Sequence, residues 1–327
     1  MSLEELIAID TQNPGAEYAA MRAHLRAELQ DRGARVSIVQ GNVLATWGTP
    51  RVLFNAHMDT VRAAGWNRDP LAAWTKNGKV FGLGACDTKG NIQAILDATT
   101  DGAQELASLF STDEECGPTT GASRVFQTEA GKKLAKTVKA AVVMEPTENR
   151  VVTRHPGYVQ VDLAFHASGG HSSSNKGSAA GLAVTALHRM QEQKGWSVNV
   201  GTIQAESSGA NVRAMHCTAV VSVRAYQPAD NVLEKIKTLL PQKAGMKVVQ
   251  AEGPLDNRKP FIGNAREVPY WTDAAVLHAA GINSVVYGAG SIKQAHHAAE
   301  FVRTASLEKA VRFLKKIMRN KGDNETR

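Results

Sequence analysis

Between residues 35 and 144 the chain alternates short β-branched, apolar runs with amphipathic stretches, and this alternation restricts its fold more than any other feature. RVSIVQ, NVLATW and RVLFNA read as successive strands separated by glycine and proline, after a helical period over residues 15–32. The helix-like NIQAILDATTDG leads into the strand LASLFS, and a polar stretch of helical character leads into the strand AAVVM. Strand and helix patterns in this order predict an α/β fold, a mixed and mostly parallel sheet flanked by helices.

The rhythm changes near residue 157. YVQVDLAFHA alternates cleanly, SAAGLAVTALHRMQ is helical, SVNVGTIQAE and TAVVSVRAYQ are strands, NVLEKIKTLL is a helix and MKVVQAE a strand. That βαββαβ order predicts a compact ferredoxin-like sheet with its helices on one side, inserted into the first domain. GPLDNRKPFIGN reads as the exit linker, and TDAAVLHAAG, the strand INSVVYG and a helix near 305–319 return to the first domain. The expected division is therefore 1–156 and 261–327 for one domain and 157–260 for the insertion.

A length of 327 residues exceeds the usual size of one compact core, in keeping with that division. No apolar run approaches the roughly 20 residues of a membrane helix. The start, MSLEELIAID, is acidic and amphipathic, unlike a signal peptide, so a cytoplasmic location without membrane attachment is expected. Cys86, Cys116 and Cys217 have no CxxC spacing, which argues against a disulfide framework and against a thiolate zinc site. The net charge of +7 is dispersed, with GKKLAKTVK and RFLKKIMRNK reading as solvated helix faces, so nucleic acid is not an expected partner.

The chemistry gathers at strand ends. In VLFNAHMDT, His57 and Asp59 share one side of an extended segment, a spacing that suits an imidazole bound to a metal and steadied by a carboxylate. Glu114 and Glu115 follow LASLFSTD, Glu145 follows AAVVM, and His296 follows SVVYG after one loop. Each lies past the carboxyl end of a strand, where open α/β sheets collect their ligands. Asp87 sits in GLGACDTKGN, a glycine-rich turn opening a helix; alone it would read as a helix cap, and its spacing is not that of a phosphate loop. Adjacent Glu114 and Glu115 repel unless a cation compensates. Two histidines and several carboxylates without cysteine suit zinc, cobalt or manganese, and a shared carboxylate suits a two-metal site for amide hydrolysis. One of the 114/115 pair is then left over as general base.

At these residues the chain resembles the M20 metallopeptidase family of dinuclear zinc amidohydrolases: HMD, GLGACDTKG, STDEE, MEPT, GGHSS and QAHHAAEFV stand in that family's order and spacing. The resemblance implies a zinc-exopeptidase-like catalytic domain and a lid domain through which many members form homodimers. It implies that His57, Asp87 and Glu145 hold one metal and that Asp87, Glu115 and His296 hold the other. Asp59 would orient His57, and Glu114 would take a proton from the attacking water and deliver it to the leaving amine. His171 would stabilise the oxyanion in a partner's site, and Asn211 and Arg224 would contact the substrate carboxylate. The ending YGAGSIKQAHHAAEFV resembles the acetylornithine and acetylcitrulline deacetylase branch, which implies a small N-acyl amino acid substrate and a place in arginine biosynthesis. Succinyl-diaminopimelate desuccinylase, a dipeptidase or carboxypeptidase, and a non-catalytic metal-binding relative are the alternatives. Three departures stand out: a short linker between QAEGP and YWTDAA, Cys86 and Cys116 beside metal ligands, and Pro156 in place of a basic residue. The last would remove a substrate contact or move it to Arg154 or His155.

Overall fold

The computed structural model describes residues 2–115, 121–174 and 176–319, so Cys116 lies outside the described residues. The chain divides into two units, one of Met1–Arg154, Asn257–Glu267 and Thr272–Arg327, the other of His155–Asp256 and Val268–Trp271.

In the first unit the apolar runs become β1 (Arg35–Val39), β2 (Asn42–Trp47), β3 (Val52–His57), β4 (Leu106–Ser111), β5 (Ala140–Val143) and β10 (Asn283–Val286). They form one sheet in the order β10-β5-β3-β4-β2-β1. β10, β5, β3 and β4 are parallel, while β2 and β1 finish one edge in antiparallel fashion. All of β4 is buried, and so is β3 apart from Val52, as expected of parallel strands covered on both faces. Asn55 of β3 pairs with Val143 of β5, and His57 with Ser111 of β4, so the three strands end at nearly the same level.

The helices of this unit are α1 (Leu3–Ala8), α2 (Ala19–Asp31), α3 (Lys89–Ala98), α4 (Gly121–Gln127), α5 (Glu129–Thr137), α8 (Ala274–Ala279) and α9 (Thr304–Arg319). Met21, Leu25 and Leu29 recur every four residues on α2, which explains why it lies with one buried stripe. Ile92, Ile95 and Leu96 of α3 share a core with Ala310, Leu314 and Ile317 of α9. Ser2 and Glu5 cap α1 reciprocally. At the other end of α1, the wholly buried Lys89 donates to the carbonyls of Ile9 at 2.7 Å and Ile7 at 3.3 Å. Burial pushes that ammonium down to about 8. The lysine of DTKG is thus an internal tie between the amino end and the start of α3.

The second unit is built from β6 (Gly157–His166), α6 (Ala179–Gln191), β7 (Trp196–Ala205), β8 (His216–Ala225), α7 (Ala229–Leu239) and β9 (Gly245–Glu252), in the βαββαβ order. Its sheet runs β7-β8-β6-β9 and is antiparallel throughout. Val159, Val161, Leu163 and Phe165 alternate onto one face, where they meet Leu187 and Met190 of α6 and Val232 and Ile236 of α7. Burying side chains of this size stabilises the unit by ~1.5–3 kcal/mol each.

The structure leaves neither Arg154 nor His155 free to replace the basic residue expected at Pro156. The Arg154 guanidinium is paired with the Glu267 carboxylate. His155 is wholly buried, with Nδ1 2.9 Å from the Pro156 carbonyl oxygen and its ring edge-on to Trp271, and burial pushes its imidazole down to about 4. Among the described residues, no helix is long and apolar enough to cross a membrane.

Candidate metal centre

Five groups meet beyond the carboxyl ends of β3, β4, β5 and β10. His57 is the last residue of β3, and its Nε2 lies 3.0 Å from Asp87 Oδ1 and 3.8 Å from Glu145 Oε1. Across Asp87, His296 Nε2 lies 3.5 Å from Oδ2 and 2.9 Å from Glu115 Oε1. Donor atoms of His57, Asp87 and Glu145 all fall within 4.8 Å of one another, as do those of Asp87, Glu115 and His296 and those of His57, Glu114 and Glu115. Asp87 therefore turns one oxygen to each histidine. Local backbone makes this arrangement: Asp113 and His296 both adopt left-handed conformations, φ 58° and 61°, which fold the loops after β4 and β10 back over the strand ends.

The electrostatics call for cations. Burial pushes the carboxyls of Glu114 and Glu145 well above the usual range and that of Glu115 upward, and neighbouring carboxylates add to each effect. Burial also works against ionised Asp87, but hydrogen bonds with His296 and His57 outweigh it and hold Asp87 low. Hydrogen bonds to Asp87 and Glu115 lift His296 to about 10. Burial opposes charge on His57, yet the nearby Glu145, Asp59 and Asp87 carry it well above its ordinary value. In the protein alone, protons neutralise this cluster. Oxygen and imidazole donors without thiolate, arranged about a carboxylate that faces both ways, fit two divalent cations.

Supporting groups surround the cluster, and of these Asn13, Tyr18, Glu300 and Asp273 escaped the sequence reading. The Asp59 carboxylate accepts backbone N–H bonds from Glu114 and Glu115 and a side-chain bond from Asn13 at 2.9 Å. His57 Nδ1 lies nearer the carbonyl oxygen of Asp59, 3.0 Å, than its carboxylate, 3.4 Å. Asp59 thus steadies His57 through its backbone and the acidic pair through its side chain. Tyr18 donates to Asp113 at 2.7 Å, securing the same turn. Glu300, almost wholly buried, accepts the N–H groups of Cys86, Asp87 and Gly84 and so cradles the glycine-rich turn. Asp273 stands where a helix cap would, but its carboxylate accepts from Ser111 Oγ at 2.6 Å behind the strand ends. Cys86 is buried, and burial holds its thiol well above the ordinary range, so it presents no reactive thiolate.

The three residues expected to serve from the insertion all lie in the second unit. His171 pairs with Val212 in an isolated bridge, and Ser172 donates to the Asn211 carbonyl at 2.8 Å, which places His171 and Asn211 together at the loop end of the sheet. Arg224 is elsewhere, its guanidinium 4.9 Å from the Tyr158 ring centre at the opposite end of β8. From His216 to Arg224 the strand covers roughly 27 Å at about 3.4 Å per residue. Asn211 and Arg224 of one chain therefore do not converge on one carboxylate.

Comparison with known proteins identifies the family. The Peptidase family M20/M25/M40 pattern matches residues 53–320. An N-acetyl-L-citrulline deacetylase of Xanthomonas campestris pv. campestris is 30% identical over 372 aligned positions, covering 97% of this chain and 96% of that protein. An acetylornithine deacetylase of Myxococcus xanthus is 29% identical over 361 positions, covering 94% and 93%. Among solved structures, aminopeptidase PepT of Bacillus cereus ATCC 10987 superposes with a TM-score of 0.75 over 97% of this chain and 96% of that one, at 16% identity, which speaks for the fold alone. On these grounds the chain belongs to peptidase family M20/M25/M40, whose members are metal-dependent hydrolases.

Proposed function

We propose that this M20 hydrolase removes an acyl group, most simply acetyl, from the α-nitrogen of an amino acid such as ornithine or citrulline. The observation that carries the two-metal part of this reading is the divided Asp87 carboxylate, with Oδ1 3.0 Å from His57 and Oδ2 3.5 Å from His296. His57, Asp87 and Glu145 would hold one ion, and Asp87, Glu115 and His296 the other, with zinc the best match to the donor set and cobalt or manganese suited as well. Bound there, two divalent ions would acidify a water and polarise the acyl carbonyl. Glu114 takes the proton from the attacking water and returns it to the departing amine, a task for the carboxyl that lies in neither donor cluster containing Asp87. Asp59 holds Glu114 in place for that transfer, its carboxylate accepting the Glu114 backbone N–H.

The acetyl substrate is supported by the two deacetylase relatives and by the QAHHAAEFV ending. Roles for His171 as oxyanion donor and for Asn211 and Arg224 as carboxylate contacts belong to the same reading. The same reading includes a homodimer through the inserted unit, with His171 reaching the partner's site. A panel of acetyl, succinyl and dipeptide substrates on the zinc-loaded protein tests the proposal. Preference for N-acetylornithine or N-acetylcitrulline is expected; preference for dipeptides or succinyl-diaminopimelate would replace the substrate, and hydrolysis of no amide would remove the function.

A further inference from the structure

Arg213 is a buried cation of the second unit whose guanidinium is only partly hydrogen-bonded. The residue is 9% exposed, and its Nη2 donates to the Gly169 carbonyl. Nε and Nη1 are closed to solvent and have no hydrogen-bond partner among the described residues. A buried guanidinium with two of its nitrogens left without acceptors is unfavourable. The surroundings are shaped for the guanidinium. A Cβ on Gly170 would lie 2.7 Å from Nη2, so the glycine directly before His171 leaves the room this group takes.

Arg213 also lines a cavity of about 520 Å³ together with Gly169, Gly170, Ser207 and His216, all within the second unit. Glu206 lines the same cavity. The Arg213 N–H donates to the Gly170 carbonyl at 2.9 Å, and His171 bridges Val212, so Arg213 shares one loop pair with His171 and Asn211.

We infer that the Arg213 cavity is a carboxylate-binding site, taking the free carboxylate of an amino-acid-sized ligand on the unpaired nitrogens of the guanidinium. The planar fork matches a carboxylate with two parallel hydrogen bonds, and binding requires the guanidinium to turn its free nitrogens into the cavity. The inference deepens the proposed function and rests on it for the choice of ligand; the site itself rests on Arg213.

The test uses levulinate, which carries a methyl ketone and a carboxylate but no hydrolysable amide, against its uncharged primary amide. Calorimetric titration of the metal-loaded full chain should show at least tenfold tighter binding of levulinate. Arg213→Gln should abolish that preference, and Arg213→Lys, which keeps the charge without the fork, should weaken it. An unchanged preference in a folded Arg213→Gln protein overturns the inference, as does equal binding of the two probes by the unaltered protein. Should Arg213→Gln not fold, an unchanged preference in Arg213→Lys overturns the fork. Two sources of carboxylate are then separated by kinetics. If it is the substrate's own, Arg213→Gln raises KM for free N-acetyl amino acids and not for their carboxamides. If it comes from a second amino acid, levulinate alters turnover of the carboxamides only when Arg213 is present. Binding of the probes is read without turnover, so failure of the hydrolase reading would not be mistaken for failure of this site.

Discussion

The carboxylate of Asp59 accepts the backbone N–H of Glu115 at 2.9 Å, and its other oxygen accepts that of Glu114 at 3.2 Å. One residue at the end of β3 therefore fixes the acidic pair beyond β4, on top of its contact with His57. Removing it should loosen a proposed metal ligand and the proposed base together. For Asp59→Ala we expect turnover to fall by about 10–100-fold and metal affinity to fall with it, the range usual for groups that orient ligands. Asp59→Asn keeps one acceptor oxygen and should be milder. Metal titration of both variants beside their kinetics checks this; a turnover loss with unchanged metal affinity would confine Asp59 to the base.

Glu114 differs from its neighbour in what it touches. His296 lies against Glu115 at 2.9 Å, whereas Glu114 groups with His57 and lies in neither cluster that contains Asp87. Glu114→Gln should therefore keep both metals while kcat falls by about 10²–10⁴, the contribution of a positioned general base. Elemental analysis of the purified variant and single-turnover assays give the two readings. Loss of one metal equivalent would exchange the parts assigned to Glu114 and Glu115.

The candidate metal cluster was legible because its members sit at a level that strand ends define. His57, Glu115, Glu145 and His296 each follow an apolar run, and parallel pairing of those runs is enough to bring them together. What surrounds them was not legible. Glu300 bonds to backbone N–H groups some 213 to 216 residues earlier, and a backbone donor has no residue type to read. Its place in HHAAEFV was visible, but that motif pointed only to His296. Asp273 was hidden differently, since TDAA carries the signature of a helix start while the carboxylate turns to Ser111. The βαββαβ pattern gave the second unit's elements, but not the distance between Asn211 and Arg224, which depends on which end of a strand each occupies.

In the metal-free protein, His296 should make stability depend on pH. Hydrogen bonds to Asp87 and Glu115 raise its folded value to about 10, above the roughly 6.5 of an unfolded histidine. A raised value means that the folded state holds the proton more tightly. The contribution is full below about 6.5 and is lost as pH rises through about 10. Thermal unfolding of the metal-free chain should therefore shift to lower temperature across that window, modestly because the side chain is half exposed. His296→Ala should flatten the dependence. Metal binding needs the neutral imidazole, so affinity should rise with pH over the same range, which calorimetry in buffers of different ionisation heat would show as proton release.

Glu300 offers the sharpest test of how Asp87 is presented. Its Oε1 accepts from Cys86 N at 2.7 Å and Asp87 N at 2.9 Å, and its Oε2 accepts from Gly84 N at 3.0 Å. Burial, with the nearby Asp87, lifts its carboxyl to about 8, and the three N–H groups oppose that rise. Glu300→Gln keeps the shape but turns one oxygen into an NH2 group, which must face at least one backbone N–H as donor against donor. The buried mismatch should cost about 1–3 kcal/mol of stability. It should also displace the turn carrying the carboxylate that both proposed metals share, lowering metal affinity by about tenfold or more. Thermal unfolding of the metal-free variant reads the first effect, and the visible absorption of added cobalt reads the second. A variant that is less stable yet binds cobalt as tightly as the unaltered protein would show that Glu300 supports the fold without setting the position of Asp87.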